Sequence, residues 1–252
     1  MKKRLKQTAP FWELKQSMTR DGVLQLYIYG DVEGNGYDWW DGEEIVSETS
    51  ADFFRRELEK YPDAQEIEIY INSYGGSAFE GTAIYNQLRR HPARKTVYVD
   101  GFACSIASVI AMAGDEIVMP ANTMMFIHNM WMAVVGNAAE LRKAADDLET
   151  INAAGRAAYL QKAGDKLTEE KLQELMDAET WLTAAECVAL GLADRIAEQD
   201  ADLSGIGDMM QRAARRAEPE RMRPAAMLKT PPVREKPEEE KPSLMGTLAR
   251  SL

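Results

Sequence analysis

A serine and a histidine, two residue types that catalyse acyl transfer, each follow an apolar run that is typical of a buried strand. Ser105 comes after the β-branched run Thr96–Val99 and a turn at Gly101, and it precedes a small-residue pattern typical of a helix. A serine at such a strand-to-helix corner can present its hydroxyl beside the unpaired amides of a helix start, which suits acyl transfer. The alternative is a buried strand and helix with incidental serines.

The search for a general base is short, because the chain has only 2 histidines. His128 ends the apolar run Met124–Ile127, and strand ends in α/β sheets are where functional sites collect. The positions allow Ser105 and His128 to act as nucleophile and general base, with a satisfied core histidine as the alternative. His91 lies beside two arginines at the polar end of a predicted helix, where the helix dipole favours a solvated histidine.

A Gly-Gly pair in the segment Asn72–Ser77 follows another predicted strand. Such a pair can free a backbone N–H to point into a site, because no side chain blocks the approach. The segment lacks the lysine and the glycine spacing of a phosphate-binding loop. A plain tight turn is the alternative.

The elements that would position these residues alternate between strands and helices. Apolar patterns predict strands over residues 22–30, 66–71, 96–99, 116–119 and 124–128. Capping signals and helical spacing predict helices over 50–60, after Ser77, over 137–162, over 167–178 and from Thr183 to Gly191. Residues 31–48 are predicted to be a long loop. This alternation predicts an α/β domain with a largely parallel sheet.

Apolar residues at helical spacing indicate how two of the helices pack. The helix after Ser77 has a predicted apolar face of Phe79, Ala83, Ile84 and Leu88. The long helix has Leu141, Ala145, Leu148, Ile151 and Ala158 at helical spacing.

Composition excludes several classes of protein. The 252 residues carry a net charge of −11, which argues against non-specific nucleic-acid binding. Cys104 and Cys187 lack metal-type spacing, so free thiols in a reducing compartment and no metal or cofactor are expected. The apolar run 96–112 is too short for a membrane span and contains Asp100, and no signal peptide is recognised. A cytoplasmic protein without membrane contact is predicted.

The composition changes after residue 198. Residues 199–242 hold few large apolar groups, many charges and a proline-rich stretch from Lys229 to Pro242. The predicted organisation is therefore an N-terminal arm (1–20), one α/β domain (21–198) and a disordered, charged C-terminal tail (199–252).

Four motifs together resemble the Clp protease proteolytic subunit family, most closely the branch found as phage head-maturation (prohead) proteases. In chain order they are Ile71–Ser77, Gly101–Ala107, Met124–Asn129 and Trp181–Asp194. The resemblance covers roughly residues 22–198. It implies a crotonase-like spiral of ββα units, a serine-protease mechanism and ring-shaped homo-oligomers, with Met130–Asn137 and the long helix serving assembly.

The resemblance also implies roles for individual residues. Ser105 matches the nucleophile and His128 the general base, while the amides of Gly76 and Ile106 match the donors of the oxyanion hole. Ser108 is a rival nucleophile, but it falls one helical turn past the matching position.

The third member of the triad rests on counting back from Trp181. The family aspartate then corresponds to Glu179, with Asp177 as a nearby rival. A glutamate can still orient an imidazole and stabilise its cation. An exposed acid at a helix end is the alternative.

Three departures from the family pattern bear on function. Tyr74 replaces the proline that usually precedes the Gly-Gly pair, and the region of Trp39 and Trp40 does not match the axial loop of the housekeeping subunit. The charged tail is foreign to that subunit as well. Tyr74 predicts a different local turn. The mismatch around Trp39 and Trp40 argues against docking of an unfolding ATPase, and the charged tail suits a phage protein inside an assembling shell.

The resulting prediction is a serine endopeptidase that cleaves phage capsid or scaffold proteins. The tail of this chain is a further candidate substrate. The enzyme's expected place is the host cytoplasm or the assembling phage head. Alternatives are an ATPase-dependent degradative peptidase of the Clp type and a non-catalytic capsid-assembly or scaffold protein. A crotonase-type acyl-CoA enzyme would also use a Gly-Gly pair to stabilise an oxyanion. No pattern of basic residues that would bind CoA supports this alternative.

Overall fold

Eight of the strands join in one sheet, and two more form a small antiparallel ladder. The computed structural model describes residues 11–38 and 43–199, which fall within the first of the chain's two units, residues 1–215. The strands are β1 Phe11–Gln16, β2 Val23–Val32, β3 Gly36–Asp38, β4 Glu43–Ile45, β5 Glu66–Gly76, β6 Arg94–Cys104, β7 Glu116–Met119, β8 Met124–Ile127, β9 Thr180–Thr183 and β10 Arg195–Ile196.

Helices follow most of the central strands. They are α1 Ala51–Leu58, α2 Ala78–Arg90, α3 Ile106–Ala111, α4 Ala138–Ala163, α5 Glu169–Asp177 and α6 Ala184–Ala189. The predicted tail from residue 200 onward and the first ten residues of the predicted arm lie outside the described residues.

The sheet is mostly parallel. Its main order is β1-β2-β5-β6-β7-β10, in which β2, β5, β6, β7 and β10 run parallel and β1 is antiparallel to β2. Parallel strands need crossover connections, and helices α1 and α2 provide them between β2, β5 and β6. The predicted α/β class is confirmed.

Strand β6 has two partners on the same side, and this division positions the candidate site. Its residues Thr96–Tyr98 pair with β7, whereas Phe102–Cys104 pair with β8. Strand β9 adds to β8 in antiparallel fashion. The last residues of β6 therefore lead into α3 beside the carboxyl end of β8, where Ser105 and His128 follow.

The alternation in β5 shows why this segment is a strand. Ile67, Ile69 and Ile71 are fully buried on one face. On the opposite face Tyr70 stacks between Tyr27 of β2 and Tyr98 of β6, with ring centroids 4.8 and 5.3 Å apart. One face of the sheet centre is thus buried in the core, and the other presents a row of partly exposed tyrosines.

Two capping predictions are confirmed. The Ser50 side chain accepts a hydrogen bond from the backbone of Phe53 at the start of α1. Thr183 and Glu186 form a reciprocal capping box at the start of α6. These local signals need no tertiary contact to be read.

Some local predictions were wrong. Phe79, predicted to face inward, is 73% exposed, whereas Ile84 and Leu88 are buried as predicted and share the buried stripe of α2 with Gly81 and Tyr85. Leu141 of α4 is 46% exposed, because α4 buries side chains only from Asn152 onward. Strands β3 and β4 lie within the predicted loop 31–48.

Three further strands were not predicted, one of which is β10, parallel to β7. Residues 11–16 of the predicted N-terminal arm form β1 on the edge of the sheet, and β9 pairs with β8. Among the helices of the described ranges, none combines the length and apolar character that crossing a membrane requires.

Candidate active site

Ser105 occupies the turn between β6 and α3. Its backbone has φ 53° and ψ −130°, a conformation that costs a non-glycine residue about 1–3 kcal/mol. The side chain is half-buried and does not cap the helix, so its hydroxyl is available for other chemistry. The Ser105 N–H donates to the carbonyl of Phe126 at 2.8 Å, which fixes the turn against β8.

The Gly-Gly pair approaches this turn too closely for side chains. A Cβ atom on Gly75 would lie 2.7 Å from the carbonyl oxygen of Cys104 and 3.0 Å from the amide nitrogen of Ile106. A Cβ atom on Gly76 would lie 2.2 Å from the carbonyl oxygen of Val32. The sequence singles out Gly76 but does not show that Gly75 contacts the serine turn. The Gly-Gly pair is the sequence signal for such a close approach.

Ile106 begins α3, and the first amides of a helix have no partner within the helix. Its side chain locks against α2, because a Cβ atom on Gly81 would lie 2.2 Å from its Cγ1. Ile106 and the Gly75–Gly76 strand end therefore lie side by side next to Ser105. The start of α3 and the Gly-Gly pair therefore approach the Ser105 turn closely.

His128 follows β8 directly. Because Cys104 pairs with Phe126, Ser105 and His128 emerge at the same end of neighbouring strands. The His128 ring stacks on Phe126 at a centroid distance of 5.2 Å. Within the described residues His128 makes no hydrogen bond to Ser105, so the imidazole must reorient to reach the hydroxyl.

One hydrogen bond indicates which tautomer the neutral His128 ring adopts. Its Nδ1 lies 2.6 Å from the carbonyl oxygen of Asn129. A carbonyl oxygen only accepts, so Nδ1 carries a proton in this contact. Nε2 of the neutral ring is then an acceptor, which is the tautomer that a general base toward a serine requires.

The two candidate acids differ in position. Ile127 pairs with Thr180 in the antiparallel β8–β9 ladder, and continuing this register places Glu179 opposite His128. Asp177 ends α5, and its Oδ1 accepts from Asn129 Nδ2 at 2.6 Å. Within the described ranges neither carboxylate bonds to the His128 ring.

Backbone strain marks Glu179 as well as Ser105. Glu179 has φ 49°, and these two are the only non-glycine residues of positive φ in the described parts of the chain. Such residues persist where the surroundings hold them, and they cluster at functional sites. This observation favours Glu179 over Asp177.

An aromatic cluster supports the His128 side of the site. Trp181 of β9 stacks on Phe126 at 4.6 Å and meets Phe102 edge-on at 5.7 Å. Since Phe126 also stacks on His128, the cluster limits the orientations open to the imidazole.

The other serine and histidine have different environments. Ser108 is fully buried, and its hydroxyl donates to the carbonyl of Ser105 at 2.5 Å. It cannot meet a substrate there. His91 caps the C-terminal end of α2, where its Nδ1 accepts from the Ala93 N–H at 3.2 Å.

The cysteines and acids offer no further chemistry at this site. Burial raises the pKa of the Cys104 thiol to about 12, and burial is also the main cause of the rise at Cys187. Both thiols therefore stay protonated at neutral pH. Within residues 11–38 and 43–199, no three or more His, Cys, Asp or Glu residues form a group that could hold a metal ion.

Comparison with known proteins finds relatives among bacterial Clp protease subunits. The chain is similar to the ATP-dependent Clp protease proteolytic subunit 3 of Rhodococcus jostii, with 28% identity over 142 residues, covering 56% of this chain and 69% of that protein. It is similar to the ATP-dependent Clp protease proteolytic subunit of Deinococcus radiodurans, with 29% identity over 151 residues, covering 59% and 72% respectively.

A further relative is the ATP-dependent Clp protease proteolytic subunit 1 of Streptomyces avermitilis, with 29% identity over 154 residues, covering 60% of this chain and 67% of that protein. The Clp protease family model matches residues 43–200, more than half of the 252 residues. The matched region contains the Ser105 turn, the Gly-Gly pair, His128 and both candidate acids. The chain belongs to the Clp protease family.

Proposed function

We propose that this chain is a serine endopeptidase in which Ser105 attacks the peptide carbonyl and His128 acts as general base. One observation carries the proposal: Ser105 is held in a strained turn against the Gly-Gly strand end, beside the strand that delivers His128. The Clp protease family match supports the same reaction class.

The chemistry proceeds in two steps. The Ser105 oxygen bonds to the carbonyl carbon while its proton passes to Nε2 of His128, and the N–H groups of Gly76 and Ile106 stabilise the oxyanion. The C–N bond then breaks, and the amine leaves with the proton from the imidazolium. A water molecule, deprotonated by His128, hydrolyses the resulting ester and restores the Ser105 hydroxyl.

Reorientation of His128 precedes this chemistry in our proposal. The imidazole exchanges its bond to the Asn129 carbonyl for one to Glu179, which precedes Thr180, the partner of Ile127 in the β8–β9 ladder. A carboxylate there stabilises the imidazolium that forms during attack, which a neutral carbonyl does less well.

Glu179→Gln is therefore expected to lower kcat by at least about a hundredfold, because the amide carries no charge to stabilise the imidazolium. The matched variant Asp177→Asn should retain nearly the wild-type kcat, since it only alters the contact with Asn129. Steady-state peptide hydrolysis measures both. A larger loss in Asp177→Asn would make Asp177 the orienting acid, acting through Asn129.

We further propose that the substrates are phage capsid or scaffold proteins. The resemblance to head-maturation proteases supports this, together with the charged composition beyond residue 199. A ring of identical subunits is the proposed assembly. Its contacts would involve the segment after His128, where Trp131 and Val135 are 63% and 64% exposed.

The second candidate is an ATPase-dependent degradative peptidase. The bacterial relatives, which are ATP-dependent Clp protease subunits, favour this function. It predicts that protein degradation requires a Clp ATPase and ATP, and that a pull-down recovers that ATPase.

Co-expression with the capsid and scaffold proteins of the same phage distinguishes these functions. We expect shortened products with the wild-type chain and none with Ser105→Ala, as measured by intact-mass spectrometry. Products that persist with Ser105→Ala would contradict the proposed nucleophile. Normal head assembly without any cleavage would support a non-catalytic assembly role instead.

A further inference from the structure

A pair of buried hydroxyl groups lies directly beneath the serine turn. Ser108 of α3 is fully buried and Tyr159 of α4 is 2% exposed. The Tyr159 hydroxyl lies 2.6 Å from Ser108 Oγ, which in turn lies 2.5 Å from the carbonyl oxygen of Ser105. The proposed chemistry uses neither hydroxyl. Two polar groups in an apolar core are costly to bury unless they bond to each other or to the backbone.

The direction of these hydrogen bonds follows from the number of protons. Ser108 has one hydroxyl proton, and the Ser105 carbonyl can only accept it. Tyr159 must then donate to Ser108. Burial raises the pKa of the Tyr159 phenol, so this donor keeps its proton at neutral pH. The result is a chain in which each bond strengthens the next.

The end of this chain is the peptide group that follows the nucleophile. The Ser105 carbonyl and the Ile106 N–H belong to one planar peptide unit and point in opposite directions. A bond that holds the oxygen inward therefore holds the N–H outward. The Ser108 N–H also donates to the same oxygen, at 2.9 Å, so the carbonyl accepts two bonds from one residue.

We propose that Ser108 and Tyr159 are positioning residues that hold the Ser105–Ile106 peptide with its N–H directed at the substrate oxygen. The inference rests on the proposed function, since it assigns a role to the Ile106 donor. It also gives α4 a direct connection to the nucleophile turn, through Tyr159, in addition to its apolar packing.

Ser108→Ala is expected to lower kcat about tenfold while KM changes less than about twofold, because a misdirected N–H loses part of a donor worth about a hundredfold to a thousandfold. Tyr159→Phe keeps the ring and its packing, and should give a smaller fall in kcat. The double variant should match Ser108→Ala alone, since Tyr159 acts only through Ser108. Kinetics of peptide hydrolysis measure all three.

Tyr85→Phe is the matched control. The Tyr85 hydroxyl of α2 lies 3.1 Å from Gln161 Oε1 on the same helix α4, and Tyr85 is 8% exposed. Its loss also removes one buried bond to α4, but it is not connected to the serine turn. We expect kcat and KM of the wild type.

Three outcomes would overturn the proposal: additive losses in the double variant, a rise in KM without a fall in kcat, or an equal loss in Tyr85→Phe. If Ser108→Ala fails to fold, an unchanged kcat in Tyr159→Phe overturns it. If the wild-type chain hydrolyses no peptide, that result counts against the proposed function. Thermal unfolding then tests the coupling between Ser108 and Tyr159. A double variant with the Tm of Ser108→Ala alone supports the coupling, and additive Tm losses contradict it.

Discussion

Ser105→Ala is expected to lower kcat for peptide hydrolysis by about ten-thousandfold or more, because the acyl-enzyme can no longer form. The fold should be unaffected. The Ser105 side chain makes no capping bond, and alanine meets the same backbone strain at φ 53° as serine does. Hydrolysis of a fluorogenic peptide and a thermal unfolding curve of the same sample test both statements.

Ser50→Ala should show the opposite pattern. Ser50 caps α1 away from the site, accepting from the Phe53 N–H at 3.2 Å. Its loss should lower the free energy of unfolding by about 1 kcal/mol. Its kcat should equal that of the wild type. Substantial activity in Ser105→Ala, with a normal fold, would contradict the assignment of the nucleophile.

Gly75→Ala is expected to lower both stability and activity. The new Cβ would meet backbone atoms of Cys104 and Ile106 at 2.7 and 3.0 Å, and φ of +93° adds strain for any side chain. Strain and overpacking each cost about 1–3 kcal/mol, so roughly 2–6 kcal/mol should be lost from the free energy of unfolding. The contact is relieved only by moving the serine turn, so kcat should fall as well.

Gly164→Ala separates steric contact from backbone strain. Gly164 follows α4 with φ +57°, and nothing lies within 4 Å of its added Cβ. Denaturant unfolding should show a loss of about 1–3 kcal/mol from strain alone. Its kcat should remain that of the wild type. Equal effects of the two variants on stability and kcat would show that Gly75 does not press on the serine turn.

Patterns within a single element were readable from the sequence. The alternation of Ile67, Ile69 and Ile71 predicted a buried strand, and Ser50 predicted a helix start. Both signals arise from the geometry of the chain itself, so no distant contact is needed to interpret them. The corner at Ser105 and the strand end at His128 were found in the same way.

Features that depend on distant contacts were not readable. The strand β9 exists because Thr180–Thr183 pairs with β8, more than fifty residues earlier in the chain. Phe79 and Leu141 lie on helices that were predicted, but which face or which half of a helix packs is decided by its neighbours.

The same contrast between local patterns and distant contacts applies to the candidate site. Counting along the motif favoured Glu179 and left Asp177 as a rival, and the end of the β8–β9 ladder at Thr180 and the positive φ of Glu179 support the same choice. The contact between Ser108 and Tyr159 joins residues 51 positions apart. No spacing rule in the sequence predicts such a contact.

The most direct test of the central claim is mass spectrometry of the full chain after reaction with a fluorophosphonate probe. We expect one adduct, on Ser105, that is absent in both Ser105→Ala and His128→Ala. An adduct on Ser108 or another serine would contradict it. So would the absence of any adduct on the wild type, provided that the capsid protein is present during the reaction.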